Sequence, residues 1–290
     1  MTTDSYYAIG KSHTVCQDVA RHGDGARPFI VVCDGCSGSP QTELGAQVLA
    51  QTVSTLLQPD SLSREYLYRA EALSLVEDAE RCQVRSFGLP AIYAAAHLCD
   101  ALRTPRAALD ATLMVVAQTE MQVQAAIWGD GAIMWRQRSG RRVLVSIEFK
   151  HGAPAYLSYR LDAKRLAGYR EQTADGLRTI STYEDAGDGF RHSALYEDTG
   201  MEPFSLDFPI YDVDLVLLAS DGLGSFQRRV DSHFEAVPIN EVADKAFAFK
   251  SMAGSFVARR MRRFLTVEAP ALGWHHDDDL SVAAIHLGTD

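Results

Sequence analysis

Five aspartates stand where strand ends and turns would present them. Asp34 and Asp221 each follow an apolar, β-branched run and each precede glycine, in Val31-Val32-Cys33-Asp34-Gly35 and Leu217-Leu218-Ala219-Ser220-Asp221-Gly222. Asp278 immediately precedes a closing apolar run, Asp130 sits in Gly129-Asp130-Gly131, and Asp18 follows Gln17 ahead of the first apolar run. Taken singly, each reads as a turn residue, because Asp bonds its own backbone and Gly tolerates positive φ. Taken together they say more. Carboxylates at the ends of buried strands in one sheet system can converge on one edge, where they raise each other's pKa unless cations neutralise them. Oxygen donors with no zinc-type His/Cys pattern favour magnesium or manganese. Two such cations about 3.5–4 Å apart activate a water and clamp a phosphoryl group.

The elements that must position these groups are legible from periodicity. Phe29 to Cys33 and Val213 to Ala219 read as buried strands. Ser39-Pro40 offers an N-cap followed by Pro at the first helical position. Leu44, Val48, Leu49, Thr52, Val53 and Leu56 then repeat at helical spacing. Further helical stretches run from about Ser63 to Arg85 and Ala91 to Leu102. The middle of the chain changes period. Thr112 to Gln118, Gln122 to Trp128, Ala132 to Arg138 and Arg142 to Glu148 read as four strands joined by short turns, hence a meander of antiparallel neighbours. Residues 151–207 are polar and mixed, with a helix from Asp162 to Glu171. Helices from Asn240 to Phe249 and Ser255 to Leu265, and a last strand from Leu280 to Leu287, close the chain. Helices early and late with antiparallel strands between predict an α+β fold, its sheets covered by helices.

In this order the motifs resemble the metal-dependent protein phosphatases of the 2C type, the PPM family, which act on phosphoserine and phosphothreonine. The early Asn-Glu/Gln-Asp motif reads as Cys16-Gln17-Asp18, and the Gly-(Ser/Ala)-Thr strand motif as Asp110-Ala111-Thr112. Gly129-Asp130 matches the Gly-Asp hairpin, Leu217 to Gly222 the Leu-Leu-Ala-Ser-Asp-Gly signature, and Asp278-Asp279-Leu280-Ser281 the closing Asp-Asn-x-Thr. The match covers about Ile9 to Leu287. The resemblance implies a four-layer αββα sandwich of two antiparallel sheets flanked by helices. It implies that Asp34 bridges two Mn²⁺ or Mg²⁺ ions, that the Gly35 carbonyl binds one, and that Asp221 and Asp278 complete the other. Asp18 would hold the first ion's waters, and Asp130 with Asp221 would form a weaker third site. Asp34, Asp221, Asp278 and His13 are the candidate catalytic residues. Residues 151–207 overlap the family's variable flap.

Three departures bear on phosphate positioning. His13 stands where many members carry a phosphate-binding arginine, and a histidine matches a guanidinium only when protonated. Cys36 stands where some members carry a histidine acid, leaving leaving-group protonation to water, His13 or His276. Ser37 stands where glycine is usual. His275 and His276 flank Asp278 and read either as site-lining residues or as a polar loop. Trp128 and Trp135 read as core or sheet-face residues. Arg259, Arg260, Arg262 and Arg263 read as a solvated helix face or a docking patch.

Composition bounds these readings. The 290 residues are 47% hydrophobic, enough for a large core. With 28 basic and 38 acidic residues, the net charge of −10 lacks the footprint of a nucleic-acid binder. No apolar run reaches 18 residues, the start has no signal-peptide layout, and five cysteines without a paired framework suit a reducing cytoplasm. The Cys33/Cys36 pair is a weak redox or metal signal. The expected ligands span nearly the whole chain, so one domain over 1–290 is expected. The expected function is metal-dependent hydrolysis of phosphoserine or phosphothreonine in a protein, with a serine/threonine kinase or its target as partner and no nucleic acid or membrane. A phosphatase-like interaction protein without turnover, and a phosphatase of a small phosphorylated metabolite, are the alternatives.

Overall fold

The computed structural model describes residues 1–25, 27–58, 83–173, 176–185 and 187–288. Its strands, in chain order, are β1 (Thr2–Ala8), β2 (Asp18–Gly23), β3 (Phe29–Gly35), β4 (Ala111–Gln118), β5 (Gln122–Trp128), β6 (Gly131–Gln137), β7 (Arg142–Phe149), β8 (Leu177–Asp185), β9 (Arg191–Thr199), β10 (Phe204–Pro209), β11 (Val213–Ala219), β12 (Phe226–Val230), β13 (His233–Ala236), β14 (Trp274–His276) and β15 (Leu280–His286). The helices are α1 (Thr42–Leu57), α2 (Gly88–Leu102), α3 (Ala163–Thr173), α4 (Ile239–Ala246) and α5 (Phe256–Arg263), the last continuing as a π-helical turn over Phe264–Glu268. The expected helix over Ser63 to Arg85 lies largely outside the described residues; at its end Val84–Ser86 form a short 3₁₀ turn. No described helix is long and apolar enough to cross a membrane.

One sheet has seven strands in the order β1-β15-β11-β6-β7-β8-β9, and a second has five in the order β10-β5-β4-β3-β2. All their pairings are antiparallel. A third, small sheet, β13-β12-β14, was not anticipated. The layering follows from the alternation of side chains along each strand. Ile30, Val32, Met114 and Val116 of the five-stranded sheet meet Ile133, Val216, Leu218 and Ile285 of the seven-stranded one. Val31, Cys33, Leu113 and Val115 point the other way, against Leu49, Val53, Ile92 and Ala95 of α1 and α2. Leu215, Leu217, Val282 and Ala284 point outward against Val242, Val257 and Met261 of α4 and α5. Central strands are therefore apolar on both faces, which is why Phe29 to Cys33 and Val213 to Ala219 read as unbroken runs. The helix–sheet–sheet–helix order is the one expected.

Two local expectations are corrected. The four middle strands are not one meander: β4 pairs with β5 and β6 with β7, in different sheets. The Gly129-Asp130-Gly131 turn carries the chain from one sheet to the other, with φ of 103° and 121° at the two glycines. A two-residue hairpin would have kept β5 and β6 adjacent; this corner lets them separate. The N-cap of α1 is not Ser39. Gln41 occupies that place in a left-handed conformation, and the Ser39 hydroxyl is bonded to Asp110.

Beside the acidic residues, close approach matters at Gly222, the residue after Asp221. A Cβ there would stand 1.8 Å from the carbonyl oxygen of Asp279. Backbone faces backbone, so neither side can yield by changing rotamer. Gly222→Ala is expected to destabilise the fold by about 2 kcal/mol or more, read as a lowered midpoint in thermal unfolding. An unchanged midpoint would show that the two segments are free to separate.

Candidate active site

The acidic residues converge because antiparallel pairing puts strand ends side by side. Asp18 at the start of β2 lies directly opposite Asp34 near the end of β3, and Asp34 lies opposite Thr112 of β4. The Thr112 hydroxyl donates to Asp130 Oδ1 at 2.7 Å, bringing the sheet-to-sheet corner beside the same strand ends. From the other sheet, Asp221 opens the 3₁₀ turn after β11 and Asp278 precedes β15. Ser220 N–H donates to the Ser281 carbonyl and Ser281 N–H to Ser220 Oγ, both at 3.0 Å, so the ends of β11 and β15 are locked together.

Electrostatics shows how crowded the cluster is. Asp18 is 3% exposed, and neither of its carboxylate oxygens has a partner in hydrogen-bond geometry. Ser220, Ser281 and Asp34 approach it and favour its charge, but burial dominates and pushes its pKa up to about 6. Burial, then the charge of Asp221, raises Asp130 to about 7. Burial also raises Asp221 to about 6, with Asp278 and Asp18 adding to it, although one edge of Asp221 opens to solvent. Asp34, at the end of β3 and part-buried, is pushed well above the carboxylate range by burial, Asp18 and Asp221. Among the described residues no three acidic, histidine or cysteine side chains stand, as they are, where they could hold a metal ion. The donor set is open and oxygen-only. Orphaned carboxylate oxygens and mutual repulsion fit a hard divalent cation that keeps part of its water.

His13 faces the cluster rather than standing free. Its Nε2 is 3.4 Å from Asp278 Oδ1 and its Nδ1 is 3.0 Å from Asp279 Oδ2, the latter off the line of a good hydrogen bond. The contact with Asp279 is the main cause that raises its pKa, against the opposing effect of burial. Asp279 is the residue that sequence reasoning missed. It is 2% exposed; Oδ1 accepts from Gly10 N–H at 2.8 Å and Oδ2 from Gln17 N–H at 2.6 Å. It therefore ties the early loop, with His13 and Asp18, to the closing strand. The signal was the last of three consecutive aspartates, Asp277-Asp278-Asp279, directly before a buried strand, where turn chemistry needs only one.

The other flagged residues serve the fold. His276 Nδ1 lies 2.9 Å from the Asp278 carbonyl oxygen and its ring packs on Phe226. His275 packs edge-on against Phe234 and lies 3.6 Å from Asp277. Cys33 is buried in the helix–sheet core and Cys36 is half-buried in the following turn; both are free thiols. Trp128 is buried under α2, and Trp135 packs on Phe208. The α5 arginines are largely engaged within the molecule. Arg260 and Arg263 bond Glu268, Arg259 bonds the Ser251 and Ala253 carbonyls, and Arg262 lies over Tyr6. Glu268 answers part of this charge, while Arg259, Arg262 and Arg263 stay exposed, as a solvated helix face requires.

A family model described as Protein phosphatase 2C matches residues 9–265. Among solved structures, a bacterial serine phosphatase is similar at 10% identity, over 100% of this chain and 99% of that one, with a TM-score of 0.53. The serine/threonine phosphatase Stp1 from Staphylococcus aureus is similar at 10% identity, over 99% of this chain and 95% of that one, with a TM-score of 0.50. At these identities the likeness is one of fold. No curated protein sequence matches the chain.

The raised carboxyls make stability depend on pH. A carboxyl with a raised folded-state pKa stabilises fully below its unfolded value, and that contribution is lost as pH rises through the folded one. For Asp18, Asp130 and Asp221 the window runs from 3.8 to about 6 or 7. The cation-free protein is expected to melt at lower temperature at pH about 8 than at pH about 5. Asp18→Asn is expected to raise the melting temperature at pH about 8 by about 2–4 °C and to flatten the pH slope. Calorimetry in chelator measures both; a lower melting temperature for this variant at pH about 8 would contradict the electrostatic account.

Proposed function

The chain belongs to the protein phosphatase 2C family of serine/threonine phosphatases, and from that membership we propose that it hydrolyses phosphoserine and phosphothreonine in proteins using two divalent cations, Mn²⁺ or Mg²⁺, with a weaker third. One observation carries the metal assignment: carboxylates from both sheets crowd together at one end of the sandwich, from the buried Asp18, its oxygens orphaned, to the solvent-facing Asp221. Asp34 would bridge the pair and the Gly35 carbonyl would bind one of them. Asp221 and Asp278 would complete the other. Asp18 would order water beside the first, and Asp130 with Asp221 would hold the weaker third. When bound, the cations supply an acidified water and neutralise charge on the phosphoryl oxygens.

The chain's own groups do the rest. Asp279 lies against His13, and that contact and the surrounding carboxylates favour the protonated imidazole, which would set a positive charge where a substrate phosphate arrives. That proton is also available to the leaving serine or threonine oxygen. The whole chain acts as one catalytic domain, with residues 151–207 in the flap position. Its substrate is a phosphorylated protein, a serine/threonine kinase or its target, in the cytoplasm. A second reading, a phosphatase-like protein that binds a phosphoprotein with little turnover, is favoured by one observation: His13 is tied to Asp278 and Asp279.

Asp221→Ala is expected to lower Mn²⁺-dependent hydrolysis of a phosphopeptide by at least about a hundredfold, about 2.7 kcal/mol of barrier, with circular dichroism unchanged. Full activity in that variant would remove the metal assignment. His13→Ala is expected to lower kcat/KM by about tenfold, and His13→Arg to recover it, since a guanidinium supplies the same charge in bidentate form. Steady-state kinetics on both variants measures this. Metal binding by the parent protein in titration calorimetry without any ester hydrolysis would favour the second reading.

A further inference from the structure

Asp110 lies directly before β4, at the first position of the Asp110-Ala111-Thr112 motif. It is 2% exposed, and its polar atoms are all engaged. Oδ2 accepts from the Ser39 hydroxyl at 2.7 Å and from the Arg165 guanidinium at 2.8 Å. Oδ1 accepts from the Ser158 hydroxyl at 2.5 Å. Its carbonyl accepts from Cys36 N–H at 2.8 Å, and its own N–H donates to the Ala107 carbonyl at 3.0 Å. Three separate stretches thus meet on one carboxylate: the turn after Asp34-Gly35, the 3₁₀ turn Leu157–Leu161, and the first turn of α3.

The far side of this junction reaches back to the acidic cluster. The Arg165 guanidinium lies 4.9 Å over the Tyr159 ring, and Tyr159 packs on Tyr156 at 5.7 Å. Burial and then the charges of Asp130, Cys36 and Asp34 raise the pKa of the Tyr156 phenol, which sets it within electrostatic reach of those groups. Between the junction and solvent lies a cleft of about 320 Å³ lined by Ser39, Arg106, Asp110, Ser158, Leu161 and Arg165.

We propose that Asp110 is a positioning residue that clamps the base of the flap segment, residues 156–165, onto the catalytic turn at 36–39 and so sets how a polypeptide substrate is held beside the acidic cluster. This rests on the phosphatase reading above. A buried carboxylate needs its charge and lone pairs matched, and here the matches come from three separate segments that line one cleft. Loss of the carboxylate leaves all three partners unpaired, and loss of one partner frees one of the three segments, so the intact junction holds them at one separation. A small phosphate ester touches the reacting centre alone. A phosphopeptide also touches the walls, so a shift of about an ångström there falls mainly on the peptide.

The test compares Asp110→Asn, Ser158→Ala and the parent protein on a phosphopeptide and on p-nitrophenyl phosphate, with Mn²⁺. The ratio of the two kcat/KM values is expected to fall about tenfold in Asp110→Asn, mainly through peptide KM, and several-fold in Ser158→Ala. Hydrogen exchange of the cation-free protein is expected to quicken in both 36–39 and 156–165. Ser158→Ala removes a single hydroxyl, so it decides the matter if Asp110→Asn fails to fold. A ratio unmoved in an active protein, or both activities falling together with the melting temperature, overturns the clamp and leaves the phosphatase reading standing. A parent protein that hydrolyses neither compound overturns both.

Discussion

Mutual repulsion among buried carboxylates is the constraint around which this molecule is built. Burial raises the pKa of Asp18, Asp34, Asp130 and Asp221, and the charges of Asp18, Asp130 and Asp221 add to the rise at their neighbours. Nothing in a folding chain gathers such groups by attraction. They are brought together by the antiparallel ladders beneath them, whose apolar side chains face core on both sides and hold the strand ends in register. The free energy of three apolar interfaces is set against the cost of the acidic end. That arrangement suits a site designed to be completed by cations rather than by side chains.

The cations of the chain itself are deployed elsewhere. Arg260 and Arg263 neutralise Glu268, Arg142 joins Asp185 and Asp244, and Arg136 pairs with Asp214. Near the acidic end, His13 is the group whose charge answers the carboxylates directly, and Asp279 holds it there. Asp279 also accepts two backbone N–H groups from the early loop. Charge-assisted bonds of this kind contribute about 1.5–3 kcal/mol each. The beginning and end of the chain are therefore joined twice, through the β1–β15 ladder and through this carboxylate.

Much of this was legible in the residues, for identifiable reasons. Phe29 to Cys33 and Val213 to Ala219 announce two-faced central strands because both of their sides meet core. The Asp-Gly pairs that follow them mark strand ends. Where the reading failed, a distant partner had intervened. Ser39 looks like a helix cap, but its hydroxyl belongs to Asp110, seventy-one residues on. Gly129-Asp130-Gly131 looks like a hairpin turn, but β5 and β6 find better partners in different sheets. By contrast, the arginines of α5 read as a solvated face, and Arg259, Arg262 and Arg263 are exposed, while Arg260 turns in to Glu268.

By itself the sequence determined the kinds of elements, the apolar faces they present, and the aspartates that end them, because these depend on periodicity and local turn chemistry. Only the tertiary structure decided which carboxylates touch, that Asp18 is left without a hydrogen bond, that Asp279 governs His13, and that Asp110 joins three segments. Those are contacts between residues far apart in the chain. Their geometry depends on strand register and on which sheet each strand joins, and no local spacing encodes either.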